Sequence, residues 1–126
     1  MKSICIDFEI AKQLKEKGFK QKGLFLWDKT IQNINKYDVF SSSDYDMDEI
    51  EYDPDVYVSP TAEEILKELP SKLYIEDNKY DYLTMFSNKE ISTYSVLYCQ
   101  KDEITDKKLC NALAKMWLYL KENNLL

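Results

Sequence analysis

At 126 residues, 44% hydrophobic and 13% aromatic, the chain is long enough for one well-filled core and short for two. It has no histidine and no arginine, which removes the commonest general base and the preferred fork for carboxylates, phosphates and bases. A net charge of −6, with 23 carboxylates against 17 lysines, argues against non-specific binding to nucleic-acid phosphates.

The first helix is expected from Asp7, read as N-cap, with Glu9 in the first turn where the dipole favours a carboxylate. Ile10, Ala11 and Leu14 form its apolar stripe, and Lys12, Lys15 and Glu16 are expected to face away. Gly18 suits the C′ position and Phe19 the hydrophobic contact of a Schellman motif. Residues 2–6 form a short extended lead-in. Residues 24–27 and 31–39 read as two strands joined by a turn at Asp28-Lys29-Thr30, the second weakened by Asn33 and Asn35.

Residues 41–58 differ in kind. Together with Asp38 this stretch carries −8, leaving +2 for the rest of the chain. Carboxylates packed this densely repel one another, so an exposed acidic loop is expected, closed by Val56-Tyr57-Val58. Thr61 to Glu64 then fits a capping box opening a short helix, which Pro70 ends. Three strands follow, near 73–75, 80–86 and 91–99, with turns at 77–79 and 87–89. Such short turns require antiparallel pairing. In the middle strand Tyr80, Tyr82, Thr84 and Phe86 share one face, and Leu83 and Met85 the other. The last helix is expected after Thr105 as N-cap, with Asp106 in its first turn. Leu109, Leu113, Met116 and Leu120 make its stripe, broadened by Cys110 and Trp117.

The expectation is therefore a single α+β domain spanning 1–126. An antiparallel sheet of about four to five strands packs against N- and C-terminal helices, with a short third helix. Leu14, Leu113, Met116 and Trp117 are expected in the core.

Few motifs carry chemistry. Asp44, Asp46 and Asp48 copy the start of an EF-hand loop, with Asp55 at its twelfth position, but Glu49 stands where that loop needs glycine. These four are weak candidate metal ligands, and no metal or other cofactor is expected. Glu63 and Glu64 point about 100° apart on a helix, so they do not form an acid–base pair. Cys5, Cys99 and Cys110 lack CxxC spacing and a histidine to activate them, which suits reduced thiols. Tyr80, Tyr82, Tyr94 and Tyr98 suggest an aromatic sheet face. No run is apolar enough to cross a membrane, and Asp7 and Glu9 interrupt any signal-peptide core, so a cytoplasmic chain is expected.

Residues 8–19, the Ser59-Pro60-Thr61 entry to a short helix and the Leu-rich final helix after a hairpin resemble a group of uncharacterised small proteins of phages and mobile elements in gut Bacteroidetes. The resemblance implies an α+β fold and a phage-like origin. It implies no active site, and the acidic insert of this chain is longer than the group carries. The functional expectation is a non-enzymatic protein-interaction module. Its unidentified protein partner would offer a basic surface to Asp44, Tyr45, Asp46, Asp48, Glu49, Glu51, Tyr52 and Asp53. Neither nucleic acid nor membrane is expected as a partner, and the oligomeric state is left open. The alternatives are an enzyme using carboxylate, Lys or Tyr groups, or an acidic mimic of nucleic acid. A concave pocket with converging carboxylates favours the enzyme, and an exposed apolar patch favours the binder.

Overall fold

The computed structural model describes residues 5–33, 36–41, 47–98 and 103–126. The chain is α+β, and every strand pairing among the described residues is antiparallel. Helix α1 spans Phe8–Glu16 and buries Ile10, Ala11 and Leu14. It ends as the sequence requires. Gly18 takes φ +88°, Phe19 N–H donates to the Leu14 carbonyl at 2.9 Å, and Gly18 N–H donates to Lys15 at 3.1 Å. Asp7 occupies the N-cap position, but its side chain caps nothing on α1.

Strands β1 (Phe25–Asn33), β2 (Lys36–Ser41) and β3 (Val56–Val58) form a sheet in the order β2-β1-β3. The expected turn at Asp28-Lys29-Thr30 lies inside β1 instead. Asp28 pairs with Asp38 on one side and Val56 on the other, and the register shifts between Asp28 and Gln32. Asn33 thus ends β1, where its poor strand propensity costs little.

Helix α2 (Met47–Ile50) precedes β3, and α3 (Ala62–Leu66) follows it. The capping box of α3 is complete. Glu64 N–H donates to Thr61 Oγ1, and Thr61 N–H donates to Glu64 Oε1 at 3.0 Å. Strands β4 (Lys72–Glu76), β5 (Lys79–Asn88), β6 (Thr93–Tyr98) and β7 (Ile104–Asp106) form a second sheet in sequential order. Asp77 and Asn78 hold φ of 44° and 62°, the positive pair that a two-residue type I′ hairpin needs.

Helix α4 (Leu109–Glu122) closes the chain. It starts later than expected. Thr105 and Asp106 belong to β7, paired with Ser95 and Tyr94, so Thr105 is no N-cap. Asp106 Oδ1 instead accepts Lys108 N–H at 2.9 Å, turning the chain from strand into helix.

α4 packs on β6, β7, α1 and α3, and α1 also meets β3. Leu14, Leu113, Met116 and Trp117 are buried together in this core, with Phe19 edge-on to Trp117 at 5.0 Å between ring centroids. A second, smaller cluster lies on the other face of the first sheet. There Leu26, Val56 and Val58 are covered by Ile50 of α2.

Candidate interaction surface

From Met47 onward the acidic segment has regular structure. Asp44, Tyr45 and Asp46 lie outside the described residues, and Asp48 sits within α2. Glu49, Glu51 and Tyr52 are exposed, Tyr52 by 82%, while Asp53 and Asp55 are half-buried. Ile50 and Val56 anchor the segment in the small cluster, so 47–58 is a short helix, a turn and a strand rather than loop throughout. Among the described residues no group of three carboxylate or thiol side chains could hold a metal ion.

Lys15 was expected to face away, and it does the opposite. Its Nζ donates to the carbonyls of Ile50 at 3.0 Å, Val56 at 2.6 Å and Asp53, and it lies 5.2 Å from the Tyr57 ring centroid. Burial pushes its pKa down, against the pull of Asp53, Asp55 and Glu51. Gln21 Oε1 accepts Val58 N–H at 2.9 Å. Two side chains thereby satisfy outward backbone groups of edge strand β3 and close it to further pairing.

A second polar cluster joins α1 to α4. Asn111, 2% exposed, accepts Asp7 N–H at 3.0 Å and donates to Asp7 Oδ2 at 3.0 Å and Asp106 Oδ1 at 3.3 Å. Lys108 pairs with Asp7, and Lys115 with Asp106 at 2.6 Å. Every polar atom of the Asn111 side chain is engaged, the mark of a structural joint.

A depression of about 630 Å³ opens where β1, α3 and α4 begin. Leu24, Phe25, Ala62, Tyr94 and Leu109 make its walls, and Glu63 is the one carboxylate among its described lining residues. Cys110 also lines it, but burial pushes this thiol up to about 11, and burial raises Cys5 as well. Thiols so shifted are poor nucleophiles at neutral pH. Among its described lining residues the concavity gathers no pair of carboxylates.

The exposed apolar surface lies elsewhere. The register places Lys72 opposite Tyr82 and Tyr74 opposite Tyr80, so these four share one face of the second sheet with Thr84 and Phe86. Tyr74 is 63% exposed, Tyr82 56%, Phe86 48% and Tyr80 39%. Tyr74 and Tyr80 meet edge-on at 5.8 Å, and Lys72 Nζ stands 4.2 Å over the Tyr80 ring. The tyrosines expected to form a single face divide between two. Tyr98 pairs with Leu83 and Tyr94 with Ser87, which puts both on the opposite face. There Tyr98 is fully buried and donates to the Pro70 carbonyl at 2.6 Å. Among the described residues the helices pack on that face, and Tyr74, Tyr80, Tyr82 and Phe86 on the other remain 39% exposed or more.

β4 borders this face and is one edge of the sheet, with β7 the other. Leu83 N–H donates to the Ser71 carbonyl at 2.9 Å. Antiparallel alternation then turns the backbone groups of Leu73 toward β5 and those of Lys72 and Tyr74 outward. Sequence alternation had marked Tyr80, Tyr82 and Phe86 as neighbours. The parts it missed were Lys72, Tyr74 and the open edge.

Comparison with protein-family models, curated proteins and solved structures gives no match to this chain. Among the described residues no helix is long and apolar enough to cross a membrane.

Proposed function

We propose that this chain is a non-catalytic docking module that binds an extended protein segment along β4 and across the Tyr80 face. The supporting observation is the stripe of Tyr74, Tyr80, Tyr82 and Phe86, each between 39% and 63% exposed beside an outward-facing strand edge. A contiguous exposed apolar patch of this kind marks interaction sites. Tyrosine adds contact area at low entropic cost, and an open edge supplies main-chain hydrogen bonds to a new strand. The absence of histidine and the raised thiols support a role without catalysis. A phage or mobile-element origin rests on the sequence resemblance alone.

Selection of extended peptides from a random display library tests this reading. Selected peptides are expected to protect backbone amides of Lys72 and Tyr74 from hydrogen exchange and to lose binding to Tyr82→Ser. Selection of peptides that protect only the Phe25–Leu109 depression overturns it.

A second reading keeps the acidic segment as a contact for a basic partner, supported by the exposure of Glu49, Glu51 and Tyr52. Binding of that kind weakens steeply with salt. Strand addition at β4 does not.

A further inference from the structure

Taking the docking reading as its base, we infer that the segment received by β4 is the β4 of a second copy, paired antiparallel about a two-fold axis at Leu73. The first ground is the direction of the free backbone groups. Lys72 and Tyr74 both point outward, and only the two-fold at Leu73 sets Lys72 of one copy against Tyr74 of the other. Each such pair exchanges both of its N–H···O=C bonds, and the dyad repeats it, so four hydrogen bonds form. An interface of this type is isologous and closes at two chains.

The second ground is side-chain complementarity on the exposed face. Across the joined sheet one row would read Tyr82, Lys72, the partner's Tyr74 and the partner's Tyr80. The dyad repeats the row in reverse. Each ammonium then lies beside rings on both sides, extending the contact Lys72 already makes with Tyr80 at 4.2 Å. The exposed tyrosines of both copies would form one continuous stripe.

The third ground is the length of usable edge. The register of β4 with β5 breaks between Tyr74 and Glu76, which confines regular pairing to residues around Leu73. A lysine and a bulge commonly blunt an edge strand. Here the lysine folds onto Tyr80, and the bulge lies beyond the paired residues. A short symmetric partner suits this edge better than a long peptide.

Sedimentation across a micromolar to millimolar series tests the pairing. The wild type is expected to pass from monomer to dimer. Tyr74→Pro deletes an outward N–H without touching the ladder to β5, and it should weaken the dimer by roughly tenfold or more, because two bonds are lost per dyad. Lys72→Glu keeps the backbone intact and should weaken it too, with circular dichroism confirming the fold of both variants. Register is read by disulfide trapping in a Cys99→Ser background. Lys72→Cys mixed with Tyr74→Cys should cross-link, because paired Cα atoms stand about 5.5 Å apart. Neither variant alone should, since like residues lie about 8 Å apart. A wild type monomeric throughout the series overturns self-pairing, as does a dimer indifferent to Tyr74→Pro. If that monomer still binds display-selected peptides at Lys72 and Tyr74, the docking reading stands and only the second copy is refuted.

Discussion

Replacing Lys15 with methionine keeps the length of the side chain and removes its charge and donors. The ammonium serves three carbonyls, those of Ile50, Asp53 and Val56, and nothing at a methionine terminus replaces it. A hydrogen bond to a charged group contributes about 1.5–3 kcal/mol, and a buried acceptor left unpaired costs about 1–3 kcal/mol. Two effects reduce the sum. The mutation recovers the cost of burying the ammonium, which already depresses its pKa, and water reaches part of a half-buried site. A net loss of about 2–4 kcal/mol follows, a large share of the roughly 5–15 kcal/mol typical of a domain. Urea unfolding followed by the fluorescence of Trp27 and Trp117, both buried, measures it. Hydrogen exchange should localise the loosening to residues 50–58, with Val58 N–H deprotected alongside its neighbours. A loss below about 0.5 kcal/mol, the range of an ordinary surface substitution, refutes the claim that Lys15 clasps the acidic segment.

Two pH dependences follow from the buried polar groups. Burial raises Tyr98 from 10.0 to about 12, so its contribution is complete below pH 10 and is lost as the pH climbs from there through 12. Tyr98→Phe should flatten the alkaline fall in unfolding midpoint while costing about 1 kcal/mol at neutral pH for the bond to Pro70. Burial would raise Asp106, but the Lys115 ammonium, the Lys108 N–H and the Asn111 amide outweigh it and hold the carboxyl below its ordinary 3.8. Its stabilisation is therefore present above pH 3.8 and lost as the pH falls through the lowered value. Lys115→Met should shift acid unfolding, followed by circular dichroism, to higher pH.

What the sequence disclosed was local. Gly18 with Phe19 and the box from Thr61 to Glu64 each place cause and effect within five residues and formed as read, and the turn expected at 77–79 formed at Asp77-Asn78, with Lys79 already in β5. The stripe of α4 was legible for the same reason. Lys15 was not, because its acceptors are backbone carbonyls 35 to 41 positions away, and a carbonyl has no letter in a sequence. The start of α4 was misplaced because Thr105 suits a cap as well as a strand, and pairing with Ser95 decided between them. The hairpin turn was misplaced because Asp28 suits a turn, whereas in the fold it lies between two paired strands.

The candidate surface divides along the same line. Alternation showed that Tyr80, Tyr82 and Phe86 share a face, but not whether α4 would cover it. That depended on β6, where Val96 and Tyr98 carry the better apolar face and draw the helix to their side. Once α4 lies there, Leu73, Asp81 and Leu83 are drawn inward, and Tyr74, Tyr80 and Tyr82 are left outside by the period of two. The chain has closed the edge at β3 with Lys15 and Gln21 but leaves that of β4 with its outward groups bare. Aromatic side chains lie beside the open edge and lysine and glutamine guard the closed one. That asymmetry is the physical reason to seek the binding partner at the second sheet and not at the acidic segment.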